Sequence, residues 1–168
     1  MLTQEYVKSI LDYNPETGVF LWKHRSDVTA FWNTRYSNTI AGWINGDGYR
    51  EIKINTVSYL CHRLAWFYTY GKWPINDLDH RNRIRHDNRL KNLRPATNAQ
   101  NQRNRSKQKN NTSGFKGVTL FKQSGKWIAH IRVNGKRIHL GLYDCKAAAW
   151  IAYQIAADIY HGEFAREK

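Results

Sequence analysis

The sequence predicts an α+β chain in two parts, and three observations carry that expectation. Short runs of alternating apolar and polar residues are bounded by Gly, Asn, Asp and Pro, which marks strands and hairpins. A stretch near each end instead carries helical periodicity. Between them residues 102–113, QRNRSKQKNNTS, hold no apolar residue and four positive charges, a linker composition separating two differently patterned halves. The expected parts are residues 1–102, a basic linker over 103–112, and 113–168.

Taken in order, Thr3 can cap a helix running to about Tyr13, with Leu2, Tyr6, Ile10 and Leu11 along one side. Asn14-Pro15-Glu16-Thr17-Gly18 reads as a turn, and Val19 to Trp22 as a short strand. Lys23 to Thr39 has no clear period and reads as loop. Ile40 to Asn45, the Gly46-Asp47-Gly48 turn and Tyr49 to Ile54 form a hairpin signal, with Arg50, Ile52 and Ile54 on one face. Tyr59 to Gly71 begins as strand and becomes a helix ending at Gly71, whose Leu64, Ala65, Phe67 and Tyr68 pack on that hairpin. His62 and Arg63 open this helix, either as site or DNA-facing residues or as ordinary helix-start residues.

Beyond the linker, Phe115 to Phe121, Lys126 to Val133 and Lys136 to Leu140 form a three-stranded meander, with Asn134-Gly135 as a strong hairpin turn. Asp144 can cap a closing helix over 145–161 that is rich in alanine, with Gly162 ending it. Small residues let this helix lie close on the sheet. Alternation puts Trp127, Ala129, Ile131 and Val133 on the core face with Ile138 and Leu140, leaving His130, Arg132, Arg137 and His139 on a polar face.

Net charge is +14 and lies in the second half, where residues 81–168 carry nineteen Lys/Arg against five Asp/Glu; residues 1–80 carry eight of each. Such a one-signed field points to a polyanion, above all nucleic acid. Two separated cysteines make neither a disulfide framework nor a four-ligand zinc site, so a cytoplasmic setting is expected. The amino terminus lacks a signal-peptide pattern, and no stretch is long enough to cross a membrane.

The chemistry concentrates in residues 78–104, LDHRNRIRHDNRLKNLRPATNAQNQRN. Leu78-Asp79-His80 reads as a strand and Asn92-Leu93-Arg94-Pro95 as its return. Thr97, with Gln100 completing a capping box, starts a helix whose fourth position is Asn101. Hydrolysing a phosphodiester needs an activated water, a counter-charge for the phosphate and stabilisation of the leaving oxygen. A neutral His can take the water's proton, and a hard divalent ion on oxygen ligands can supply the rest. An Asp-His pair alone is common by chance; its joint spacing with Asn92, Asn-Leu-Arg and Asn101 is not.

This stretch resembles the HNH nuclease motif of phage homing endonucleases without zinc ribbons. The resemblance implies a ββα-metal module with His80 as general base, Asn92 as the asparagine that braces the loop and orients it, and Asp79 and Asn101 as ligands of one divalent ion, Mg²⁺ or, as the alternative, Mn²⁺. Arg83 stands where that family has glycine, which puts the turn's geometry in question. Residues 110–165 resemble the AP2 DNA-binding domain, through Ser113-Gly114-Phe115-Lys116-Gly117-Val118, Gly125-Lys126-Trp127-Ile128-Ala129, Leu140-Gly141 and the Ala-rich helix. That likeness implies a three-stranded antiparallel sheet packed on one helix and laid on double-stranded DNA. Expected DNA contacts are Arg63, Arg89, Arg94, Arg103, Arg105, Lys107, Lys109, Lys116, Thr119, His130, Arg132, Arg137 and His139. The function expected is a metal-dependent homing endonuclease that nicks one strand as a monomer, or dimerises for a double-strand cut, in the cytoplasm of a host cell if phage-encoded. The competing expectations are a DNA-binding regulator with an inert nuclease module and a basic RNA-binding or packaging protein.

Overall fold

The structure, a computed structural model, describes residues 2–104 and 110–165 and divides into two compact units, Met1–Thr97 and Asn98–Lys168. The division falls a few residues ahead of the basic run. Arg105, Lys107 and Lys109 lie outside the described residues. Both units mix helices with antiparallel sheets, the α+β class read from the sequence.

In the first unit, α1 (Gln4–Ile10) is capped by Thr3, whose hydroxyl accepts from Tyr6 N at 3.2 Å. The helix stops earlier than the periodicity suggests. Leu11 and Tyr13 alternate inward with Asp12 and Asn14 outward, so the chain continues as β1 (Leu11–Asn14), paired with β2 (Val19–Trp22) across the Asn14–Gly18 turn. The segment read as loop contains α2 (Ala30–Tyr36), capped by the Thr29 hydroxyl. None of its residues is buried, which is why no apolar period announces it.

β3 (Trp43–Ile44), β4 (Arg50–Ile54) and β5 (Val57–Leu60) form a three-stranded sheet. The third strand was not foreseen as such, because its tight turn is made by Asn55 and Thr56 at φ +46° and +69°, without glycine. Ile52 and Ile54 point inward beneath α3 (Cys61–Tyr70), which ends on Gly71 at φ +71°. Val7, Leu11, Phe20, Ile52, Leu64 and Ala65 form the fully buried centre of this unit. β6 (Asp77–His80) and β7 (Leu93–Ala96) then pair antiparallel, with Asp79 opposite Arg94 and His80 opposite Leu93.

The second unit begins with α4 (Asn98–Asn104), followed by β8 (Val118–Phe121), β9 (Lys126–Val133) and β10 (Lys136–Tyr143) in the order β10-β9-β8. α5 (Lys146–His161) packs on this sheet, with Ile131, Tyr153, Ala156 and Ala157 at the contact. Its cap is Cys145, whose sulfur accepts from Ala148 N at 3.4 Å; the expected cap, Asp144, instead pairs with Lys126 at 3.0 Å. Gly117 is required: at φ +73° a Cβ there would lie 2.1 Å from the Tyr153 ring.

Candidate active site and basic sheet face

β6 ends on Asp79 and His80, and a twelve-residue excursion returns the chain to β7. Asn92 holds that excursion together. Its amide nitrogen donates to Asn82 Oδ1 at 3.0 Å and Asp87 O at 2.7 Å, while its oxygen accepts from Asn82 N at 3.0 Å. Asp87 is in turn gripped by Asn82 and, bidentately, by Arg89 at 2.8 and 2.5 Å. The Arg89 hydrogen bonds hold the Asp87 carboxyl down at about 2, so it is charged throughout the working range.

Arg83 takes φ +66°, and its N–H closes the turn onto His80 O at 2.9 Å. The left-handed turn is thus formed by an arginine, supported by Asn82 Oδ1 accepting from Ile84 N at 2.9 Å.

His80 is 5% exposed. Its Nε2 lies 3.2 Å from Asn88 Oδ1; with a carbonyl oxygen presented there, Nε2 carries the proton and Nδ1 is the basic nitrogen. Burial is the largest influence on this imidazole and pushes its pKa below the ordinary histidine value, with Arg85 adding to it, while Asn88, Asp79 and Asp87 oppose the shift. A neutral, oriented base results. Asn88 itself is fully buried, and its backbone oxygen accepts from Tyr13 OH at 2.8 Å. Arg89 N and Asn88 C press on Gly18, where a Cβ would come within 2.3 and 2.5 Å. Gly18 is at φ +73° as well, so the β1–β2 turn can bear on the excursion only with glycine.

Of the residues expected at the site, Asp79, His80 and Asn92 come together in the first unit, whereas Asn101 is carried by α4 of the second. Asn101 Oδ1 is buried and, among the described residues, has no hydrogen-bond partner. Asp79 Oδ2 accepts from Arg94 Nε and Nη2 at 2.9 and 2.7 Å. Arg94, expected on DNA, is 6% exposed and its guanidinium faces this carboxylate. Arg63 donates to Pro74 O at 3.2 Å. Among the described residues no three His, Cys, Asp or Glu side chains gather as a metal cluster. A hard divalent cation takes oxygen donors, and in the first unit Asp79 supplies a carboxylate of that kind.

Sequence reasoning did not assign two residues that touch His80. Asn88 lies inside the excursion, and its hydrogen bond to the base becomes visible only when that excursion closes. The other is His62, 6% exposed, whose ring stands edge-on to His80 with centroids 5.1 Å apart. The His-Arg at the start of α3 was its only signal.

In the second unit β9 and β10 bring His130 opposite His139 and Arg132 opposite Arg137. Arg132, Arg137 and His139 are exposed, and Arg137 Nη2 lies 3.0 Å from His130 Nδ1. Like charges directly across a sheet repel, a cost that an anionic partner relieves. Lys116, Thr119, His130, Arg132 and Arg137 line a cleft of about 1130 Å³ together with Arg103, whose carbonyl accepts from Lys116 Nζ at 2.5 Å. Among the described residues no helix is long and apolar enough to cross a membrane.

Comparison with known proteins finds likeness in parts of the chain. The HNH endonuclease family matches residues 59–103, from the end of β5 into α4. Over 51 residues the chain is 39% identical to APETALA2-like protein 2 of Oryza sativa subsp. indica and subsp. japonica, covering 30% of this chain and 12% of each rice protein. It is 39% identical over 51 residues to the AP2-like ethylene-responsive transcription factor TOE2 of Arabidopsis thaliana, 30% of this chain and 10% of that protein. The chain thus spans about a tenth of the length of these curated relatives. No solved structure matches.

Proposed function

We propose that the chain is a metal-dependent DNA endonuclease of homing type, which nicks one strand and is brought to its site by the AP2-like sheet. The observation that carries this reading is His80: a buried imidazole held at Nε2 by Asn88, beside a carboxylate, inside the stretch similar to HNH endonucleases. In this reading His80 Nδ1 takes the proton of the attacking water, and burial keeps the imidazole neutral for that task. Asn92 holds the excursion that carries Asn88 and so keeps the base aimed. Asp79 and Asn101 would hold the divalent ion, Mg²⁺ before Mn²⁺, which supplies charge neutralisation at the phosphate and leaving oxygen. Arg132, Arg137, His130, His139, Thr119 and Lys116 meet the duplex from the sheet, and Arg103, Arg105, Lys107 and Lys109 follow its backbone. One base per chain suits one cut per binding event by a monomer.

Arg94 on Asp79 is the one feature that favours the second reading, a DNA-binding regulator whose nuclease module is inert. A plasmid-nicking assay with Mg²⁺ or EDTA separates the two. The endonuclease reading expects breaks only with metal, and His80→Ala to lower cleavage roughly 10²- to 10⁴-fold while DNA binding persists. Metal-independent nicking, or full activity in His80→Ala, overturns it.

A further inference from the structure

The register of β9 on β10 sets His130 diagonally across from Arg137. Arg132 stands directly opposite Arg137 and His139 directly opposite His130, while His130 and Arg132, two residues apart, share a face. Arg137 has taken the diagonal, with its Nη2 3.0 Å from His130 Nδ1. A guanidinium has no acceptor, so it donates here and His130 Nδ1 accepts with its lone pair. The ring then keeps its proton on Nε2.

The surroundings favour that neutral, accepting form. Burial, then Arg137, Arg132 and His139, depress the His130 pKa below the ordinary histidine value. On the β8 side its neighbour is Gly117, whose carbonyl accepts from His130 N at 2.8 Å. Lys116, which lines the same cleft, turns its ammonium to Arg103 O.

Arg137 has use for such a partner. It is exposed, its cross-strand neighbour is another arginine, and residues 118–143 contain no Asp or Glu for it to lie against. A long side chain that meets a partner unrestrained loses rotamer freedom on binding, and that ordering weakens the contact. A hydrogen bond to a half-buried ring on the next strand orders one edge of the fork in advance and leaves its other N–H groups for the partner's oxygens. We propose that His130 is a positioning residue for Arg137: a neutral acceptor on the adjacent strand, it holds the guanidinium fork as the sheet presents it and makes its contribution to duplex binding through that arginine. The gain in affinity rests on the reading that this sheet face meets DNA; the ordering of Arg137 does not.

The test uses the full chain with His130→Ala, His130→Asn, Arg137→Ala and the double variant His130→Ala/Arg137→Ala. The probe is a fluorescently labelled pool of duplexes of random sequence, titrated at several salt concentrations at about pH 7.5, above the ordinary histidine range. His130→Ala is expected to weaken binding about three- to tenfold, as loss of a coupled partner does. The salt slope of log K should stay as in the parent, because a neutral residue releases no counterion. In the Arg137→Ala background the same substitution should change affinity by less than about twofold. His130→Asn keeps an acceptor near the Nδ1 position and is expected within about twofold of the parent. The second readout needs no DNA: the ¹⁵N order parameter of the Arg137 Nε–H bond, expected above about 0.6 in the parent and in His130→Asn and below it in His130→Ala.

Where Arg137→Ala binds more weakly than the parent, four results each overturn the proposal. These are undiminished affinity in His130→Ala, a full loss persisting in the double variant, a reduced salt slope in His130→Ala, and His130→Asn behaving like His130→Ala. Equal order parameters in the parent and His130→Ala overturn it as well. Undiminished affinity in Arg137→Ala would instead sink the DNA reading of this residue, and the order parameter would still decide whether His130 holds it. If His130→Ala melts below the assay temperature, His130→Leu, which fills the place without an acceptor, replaces it with the same expectations.

Discussion

Lowering the pH should destabilise the first unit through His62 in a way that one substitution removes. The folded chain holds this imidazole at about 3, against an ordinary value of 6.5. Between those values the unfolded chain binds a proton that the folded chain refuses. The contribution is therefore complete above about pH 6.5 and declines as pH falls towards 3, by about 1.4 kcal/mol per unit. Over the roughly 1.5 units from 6.5 to pH 5, that is about 2 kcal/mol, a large part of the ~5–15 kcal/mol holding a typical domain folded. Guanidinium unfolding followed by tryptophan fluorescence at about pH 7.5 and pH 5 measures it, with His62→Phe as the reference. Packing differences between the two proteins are the same at both pH values and cancel in the comparison. His80, Arg63 and Tyr49, which face His62, are present in both. The parent should lose about 2 kcal/mol more than the variant on acidification. Equal losses would show that burial does not hold His62 down in this way.

Three further outcomes follow from the geometry. Arg83→Gly relieves a left-handed arginine, so stability should rise by up to about 1 kcal/mol with nicking unchanged; a loss of that size would mean that the arginine side chain holds the turn. Gly18→Ala drives a methyl into the Asn88–Arg89 backbone and should cost on the order of 1–3 kcal/mol in thermal melts, slowing nicking as well; a silent substitution would refute the close approach. Arg132→Ala and Arg137→Ala should each weaken duplex binding and reduce the salt slope of log K by about one. An unchanged slope would remove that residue from the phosphate contacts.

Much of this molecule was legible in its sequence where a local rule governs. Asn134-Gly135 and Gly71 mark their turns because a positive φ calls for those residues, and α3 and α5 show their apolar faces because they cover sheets. α2 was silent since it buries nothing, and β5, read as strand only from Tyr59, had its turn onto β4 hidden because Asn55-Thr56 turns without glycine. Leu11 to Tyr13 had helical spacing, but pairing with β2 prevailed over it. In the candidate site, Asp79, His80, Asn92 and Asn101 could be singled out by their resemblance to the HNH motif. The groups that touch the base could not. Asn88 and His62 meet His80 through a closing excursion and a distant helix, and no short-range pattern records such a meeting. Arg94 shows the converse, since a cation in a basic stretch suggests a nucleic-acid contact until the opposite strand supplies Asp79.

The contact between the Asn14–Gly18 turn and the excursion bears on how portable the motif is. The stretch similar to HNH endonucleases begins at residue 59, yet the loop that steadies its histidine is braced from residues 13 and 18, where Tyr13 OH donates to Asn88 O and Gly18 admits the Asn88–Arg89 backbone. An excised or transplanted copy of 59–103 would carry every chemical group of the motif while leaving behind the buttress that orients it. A graft meant to keep that histidine oriented must take the amino-terminal hairpin with it, so the smallest transferable unit of the motif begins upstream of its recognisable signature.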